Sequence, residues 1–555
     1  MFQNFNHRML FAWILSAVAS YFVMGFLGNY YASFLGVILL TALVQALICA
    51  LIYRLLGKAE QLYKSNKSDL VFALILFTVL TVFAAGMLQM ASRFPSLFNP
   101  KFVFLEQGQT APFGIGLLLV VPFLLFGMGY VEQNNIRESH LYKFIDGIVA
   151  GVLVASFFFA VYFIFSFIFN QPIFDTDDIF FDSDGWLWRT RFATEAYKDY
   201  YWRSLHPFVL LVIRPIVFLV SLFLKGDRLS AAFLLMPLAG AACVFMAWYF
   251  VRKMTGNSLY AVLIAALLGG TAGHLIFGFL IETYIFIAAV ALLTIILLLN
   301  DAPLYTLIIT ALISFGITVS NIIQPSIAFV FARRNIRQWI IYGLVISALV
   351  IPLTLLNNVA YPDSQPYFFD PSSYGTEGRN TFDVHPQRAI AVGRVMFLNS
   401  IVAPDPLILK RELPFLKVWI VEVSRKFYPH EPNPMIASGY DTTFGTALAF
   451  FWIALAALGG LGFLKNIRKQ DNRFAYAFIF ITLFSFVLHQ KFGKELFLYA
   501  TNWTYAIVLF LALGWKEFSS KRWFQVTLLV FITLLLVNNS RLILTMLSTS
   551  ALHIK

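Results

Sequence analysis

The chain alternates long apolar runs with short polar breaks, and several of the runs are long enough to cross a bilayer as a helix. The pattern predicts spans over Met9–Leu27, Phe34–Tyr53, Leu70–Ala91, Pro112–Val131 and Phe144–Phe169. It continues with Leu229–Val251, Leu259–Ile281, Thr283–Leu299, Leu304–Ser320, Ile322–Ala332 and Trp339–Leu356, then Thr443–Leu464, Phe474–His489, Phe497–Trp515 and Phe524–Val537. Ile322–Ala332 is short and holds Pro325, so a broken or tilted helix is expected there. The fold class is all-α and polytopic, with about 14–15 transmembrane helices.

Two polar excursions divide the array. Residues 1–143 form a four-helix membrane extension and 144–356 a membrane core with a first large loop at 170–228. Residues 357–442 form a small cap, and 443–555 supply the last membrane helices. In the cap, Tyr361, Tyr367, Phe368, Phe369, Tyr374 and Phe382 argue for a folded segment, because disordered stretches are poor in aromatics.

Composition agrees with the pattern. Of 555 residues, 60% are hydrophobic and 12% charged, with mean hydropathy +0.77; soluble domains carry about 25% charge. The net charge of +12 is spread over many short loops, which fits a topology signal and excludes a nucleic-acid patch. Cys49 and Cys243 each lie in an apolar run with no metal-ligand spacing. The first twenty residues resemble a signal peptide with Ala17-Val18-Ala19 as a cleavage site, but apolarity continues to Leu27, so an uncleaved first helix is expected.

Basic residues in short loops give the orientation. Arg54 to Lys67, Arg137 and Lys143, Arg252-Lys253, Arg333 to Arg337, Lys465 to Lys469 and Lys516 to Arg522 all fall on the cytoplasmic side if one run, His206–Leu224, does not cross. That run carries Arg214-Pro215 at its centre, which suits a helix lying in the interface. Asn170–Arg228 then becomes one extracytoplasmic excursion, and the cap shares its side. Short loops favour a bacterial inner membrane.

Candidate chemistry gathers at the mouth of the fifth run. Asp175, Asp177, Asp178, Asp182 and Asp184 lie within ten positions, directly after it. A solvated acidic loop is the plain reading of such a run. Against it, Phe180, Phe181 and Trp186 embed the second group in aromatics, where a carboxylate gains proton affinity and can act as a base. Gly185 permits close approach of another group, and Arg189, Arg191 and Arg203 supply opposite charge. His206-Pro207 is expected to open the interfacial helix, with His206 at its cap and Pro207 in its first position. Further along, His489-Gln490-Lys491-Phe492-Gly493-Lys494-Glu495 places two lysines on the face the positive-inside rule disfavours. Either Glu495 and lipid headgroups neutralise them or they bind a phosphate. Glu282, between two spans, is a second acid at that boundary, and Arg379, Arg388 and Arg394 are cap cations. Gly269, Gly270 and Gly273 are read as helix-packing positions.

An acidic motif after a membrane helix, an aromatic segment, and His-Pro opening an apolar helix resemble the GT-C fold glycosyltransferases, which include protein O-mannosyltransferases and lipid A aminoarabinose transferases. The matching stretches are Phe181-Asp182-Ser183-Asp184, His206-Pro207 and Tyr249-Phe250-Val251-Arg252-Lys253. The chain lacks an Asp-Glu pair at the acidic motif and has a single Pro after His206, so no subfamily is assigned. The resemblance implies an inverting transfer from a polyprenyl-phosphate-linked sugar to a glycan, lipid or protein acceptor at the extracytoplasmic face. It implies Asp184 or Asp182 as base; beside that base, His206, Arg203, Glu282, Lys491, Lys494, His489 and Arg394 are read as the candidates around the substrates. No metal or other cofactor is expected, although Asp182-x-Asp184 has the spacing of a divalent-cation pair. The competing readings are a flippase for lipid-linked glycans, which would place ionisable groups inside spans, and a non-catalytic GT-C-like subunit.

Overall fold

The computed structural model describes residues 7–174, 176–373, 375, 378–410, 415–423, 435–468 and 471–554. Asp175, Tyr374, Lys469 and the side chains of Arg137 and Arg379 lie outside the described residues. Among the described residues, ten helices are long and apolar enough to cross a membrane, and six further apolar helices have 10–17 residues. The chain is an integral, predominantly helical membrane protein.

Two compact units emerge, Met1–Val82 with Phe98–Leu153, and Phe83–Leu97 with Val154–Lys555. In the first, the helices His7–Leu27, Phe34–Ser65 and Thr110–Gln133 pack through two apolar clusters, one holding Met24, Val37 and Phe113 and the other Met9, Ala12 and Cys49. A buried Gln45 is satisfied within it: its carboxamide accepts from Ser20 Oγ and donates to Ser16 Oγ, both at 2.8 Å. Leu35, Leu39, Leu43 and Leu47, one helical turn apart, remain exposed and form a stripe suited to lipid.

The second unit departs most from the predicted spans in two places. Leu259–Ile281 was expected as one span but breaks at Thr271 into Ser258–Gly270 and Ala272–Phe277. The freed backbone is satisfied from a distant segment: Ala272 N donates to Ile401 O at 3.0 Å, Gly273 N to Ser400 O at 2.9 Å, and Gly270 O accepts from Asn539 Nδ2 at 2.8 Å. The last helix, expected to end near Val537, runs Arg522–Ala551. The polar residues at the expected end do not stop it because they are partnered; Asn538 Nδ2 donates to Ala403 O at 2.8 Å and Arg541 pairs with Asp405 at 3.0 Å. The glycines of the broken helix do serve packing: a Cβ on Gly269 would lie 2.7 Å from the Phe158 ring, and one on Gly273 would lie 2.8 Å from Ala500 Cβ.

His206–Leu224 yields a helix of 14 residues, Val209–Leu222, which at 1.5 Å per residue is about 21 Å long and short of a ~30 Å hydrocarbon core. Arg214, on its buried face, donates to the carbonyls of Arg191 and Thr194 and pairs with Glu195 at 3.3 Å. Ile216, Phe218, Leu219 and Leu222 face outward. The helix begins two residues later than expected. Pro207 is not its first residue, because Leu205 to Phe208 run alongside the turn after Leu304–Ile317, with Phe208 N donating to Gly316 O and Val319 N to Leu205 O.

The segment expected as a cap contains two small antiparallel ribbons, β1 (Leu407–Leu409) with β2 (Lys417–Trp419), and β3 (Val421–Val423) with β4 (Met435–Ala437). After the helix Pro386–Arg394, the residues Val395–Ala403, apart from Phe397 and Leu398, bury among the helices, where Trp503 Nε1 donates to Ser400 Oγ and Trp452 Nε1 to Phe397 O.

Candidate functional site

The helix His140–Phe169 ends where Asn170 takes over its hydrogen bonds. Asn170 Nδ2 donates to Phe279 O at 2.7 Å and its Oδ1 accepts from Ile281 N at 2.8 Å, which fixes the turn carrying Glu282 beside the acidic loop. The loop itself is a tight knot. Asp178 N donates to Ser183 O and Ser183 N to Phe180 O, while β2 clamps the outside: Phe181 N donates to Val418 O at 2.9 Å and Val418 N to Ile179 O at 2.8 Å. Asp178, Phe181 and Asp182 all adopt left-handed backbone, with φ of 67°, 54° and 61°. Aspartate tolerates this conformation, but phenylalanine seldom does. The cost at Phe181 is offset by burial of its ring between Phe277 and Phe497.

The knot brings distant residues together. Asp182 Oδ1 lies 3.0 Å from Lys494 Nζ, and Asp184 Oδ2 lies 2.7 Å from Arg203 Nη1. Asp184 N donates to Glu282 Oε1 at 3.0 Å. Behind them Asp199, fully buried, pairs with Arg203 at 3.3 Å and Arg191 at 3.7 Å. Lys417 of β2 approaches Asp178 at 3.5 Å, and Lys494 Nζ sits 4.3 Å over the Trp419 ring. Asp177 has a different setting: its Oδ1 accepts from Trp186 N at 3.0 Å and its Oδ2 from Tyr201 OH at 3.4 Å.

Among the described residues, the carboxyl groups of Asp177, Asp178, Asp182, Asp184, Asp199 and Glu282 face four cations: Arg191, Arg203, Lys417 and Lys494. Burial and this excess of acid raise proton affinity. Burial, then repulsion from Asp178, pushes Asp182 up to about 7 against the pull of Lys494. Burial, then Asp184 and Asp178, pushes Asp177 up to about 7. Burial, then Asp184, takes Glu282 to about 8, and burial raises Asp184 itself against the pull of Arg203. The cluster therefore contains carboxyls able to exchange a proton near neutral pH beside cations able to hold an anion.

Of the residues named from the sequence, Asp177, Asp178, Asp182, Asp184, Arg191, Arg203, Glu282 and Lys494 meet here. The others lie elsewhere. His206 is buried, with Nδ1 2.6 Å from Ile317 O and its ring edge-on to Trp188; burial, then Arg203, pushes its imidazole down to about 3, so it is neutral. His489 Nδ1 binds Phe492 O at 3.0 Å and its ring packs on Tyr499 and Trp503, closing the end of its helix. Arg394 donates to Ser438 O at 2.6 Å, tying the cap together, and Arg388 holds the carbonyls of His489, Phe492 and Gly493. Lys491 points outward. Glu495 does not neutralise the lysines: its carboxylate accepts from the backbone N–H groups of Ile420, Val421 and Phe497. Gly185 makes no close approach, since a Cβ there would meet only Ile281 at 3.8 Å.

Sequence reasoning missed Asp199, Lys417, Tyr201 and Trp419. An Asp four residues before Arg203 was the one local signal; Lys417 and Trp419 gave none, since strand pairing alone brings them to the loop. No family model, curated protein or solved structure matches the chain.

Proposed function

We propose that the chain is a membrane glycosyltransferase that moves a sugar from a polyprenyl-phosphate-linked donor to an acceptor at the extracytoplasmic face, with inversion. The observation that carries this reading is the meeting of Asp182, Asp184, Glu282, Arg203 and Lys494, from separate stretches, in one acid–cation cluster. In the reaction, an acceptor oxygen bonds to the anomeric carbon as its proton passes to a carboxylate. The anomeric C–O bond breaks, and its electron pair leaves with the polyprenyl phosphate. A phosphate leaving group needs positive charge more than a proton. Lys494 carries three donors, and a phosphate that engages it withdraws its charge from Asp182. The Asp182 carboxylate then holds a proton more strongly, at the moment one must be removed from the acceptor.

The test uses full-length protein in proteoliposomes with radiolabelled polyprenyl-phosphate sugars. D182N, D184N and K494M are expected to reduce transfer by about a hundredfold or more; transfer at the wild-type rate in both aspartate variants would end the proposal. One observation favours a second reading, a flippase for lipid-linked glycans. The broken helix carries a fully buried His274 just after its break, and discontinuous helices are a transporter feature. Translocation of a fluorescent lipid-linked glycan without formation of a glycosidic bond would select that alternative.

A further inference from the structure

Four aromatic side chains beside the acidic cluster remain about two-fifths exposed: Trp186 41%, Tyr200 43%, Tyr201 39% and Trp202 41%. They are not scattered. The Trp186 and Tyr200 rings lie 5.3 Å apart with a 36° tilt, and Tyr200 and Tyr201 lie 4.5 Å apart with a 47° tilt, so the three pack into one aromatic cluster that remains partly exposed. Their backbone is held by a buried group. Asp199 Oδ1 accepts from Tyr201 N at 2.9 Å and Asp199 O from Trp202 N at 2.8 Å, while Asp199 N donates to Ser364 O at 2.7 Å. Trp202 sits in left-handed backbone, φ 54°, to close that turn. The surface is thus built in advance of any ligand, which lowers the cost of binding one.

Its edge is polar. Asp177 touches the surface from two sides, through Trp186 N and Tyr201 OH, and the Arg203 guanidinium lies 4.7 Å from the Tyr201 ring centroid while pairing with Asp184. Flat apolar ring faces edged by a carboxylate match a pyranose, whose C–H face stacks on a ring while its hydroxyls donate to the carboxylate. A lipid-facing surface looks different in the same protein: the outward face of Val209–Leu222 is Ile216, Phe218, Leu219 and Leu222, all apolar.

We infer that Trp186, Tyr200 and Tyr201, with the Asp177 carboxylate at their edge, form a saccharide subsite that delivers an acceptor hydroxyl to the acidic cluster. The acceptor is then a glycan, or the sugar part of a glycolipid, rather than a protein side chain. This inference rests on the transfer reading, but its test does not require transfer. Full-length protein in lipid nanodiscs is mixed with millimolar chitotetraose, mannotetraose or cellotetraose without donor, and binding is read by saturation-transfer NMR. Stacking is tolerant of sugar identity, so at least one should bind. W186A/Y200A should weaken binding by about tenfold, and W186F/Y200F, which keeps both rings, should restore most of it. The lipid-face variant F218A should bind as wild type. Absence of binding by all three sugars, equal binding by W186A/Y200A, or quenching of Trp186 by spin-labelled lipid without sugar binding would each overturn the subsite. Sugar binding that depends on these rings, with no transfer from any donor, would instead leave the subsite standing and remove the transferase reading.

Discussion

Glu495 is a fully buried carboxyl whose partners are backbone amides. Its Oε2 accepts from Ile420 N at 2.9 Å and Val421 N at 2.7 Å, and its Oε1 accepts from Phe497 N at 2.9 Å. These amides join β2 to β3 and both to the turn that presents Lys494, while β2 in turn clamps the acidic loop. Glu495→Ala orphans three buried donors. At about 1–3 kcal/mol each the ceiling is about 3–9 kcal/mol, and water entering the vacated space reduces it to about 2–4 kcal/mol. Glu495→Gln keeps one oxygen for the Ile420 and Val421 amides but turns its own N–H₂ toward Phe497 N. The loss is then one bond, about 1–3 kcal/mol, partly offset by removing a carboxyl that burial pushes up to about 8. Hydrogen exchange read by mass spectrometry is the direct assay. Peptides covering 417–423 and 496–500 should exchange roughly 30- to 700-fold faster in the Ala variant, and less so in the Gln variant. Unchanged protection in the Ala variant, or a Gln variant worse than Ala, would refute the reasoning.

Further expectations follow from the same geometry. Protons held by the folded chain on Asp177 and Asp182 near pH 7, and on Glu282 and Glu495 near pH 8, would be released by the unfolded chain near pH 4. The unfolded chain binds fewer protons in that window, so stability should fall as pH rises from about 4 to 8, and melting in detergent at pH 5, 7 and 9 checks it. D177N and E282Q should flatten that slope. The proposed transfer needs an ionised base, so its rate should climb with pH through about 7 before instability intervenes; a flat profile would count against the Asp182 assignment. Asp199→Ala leaves the fully buried Arg191 without its counter-charge and should cost about 3–5 kcal/mol, read as lost thermal stability and lost monodisperse protein. Gly493→Ala places a Cβ 2.5 Å from the Tyr499 ring at φ +97° and should destabilise the Lys494 turn, read as faster exchange of residues 491–496.

The membrane class was legible in the sequence because lipid selects for apolar runs without regard to neighbours, and nearly every predicted run became helix. The acidic loop was legible as a candidate site for a similar reason: carboxylates set among Phe180, Phe181 and Trp186 are anomalous locally. Length and hydropathy did not reveal the break at Thr271 or the continuation past Asn538, since both depend on hydrogen bonds from the Val395–Ala403 segment more than a hundred residues away. The pairing of Asp182 with Lys494 spans 312 positions, and Lys417 reaches Asp178 only because β2 pairs with the loop. Periodicity records which face of an element is buried, whereas the choice of counter-ion for each carboxylate is made by packing between elements. Hence composition and pattern alone determined that this chain lives in a membrane and carries acids at one helix end. Only the tertiary structure decided that His206 and His489 are buried against the carbonyls of Ile317 and Phe492, and that Asp199 and Glu495 hold the candidate site in shape.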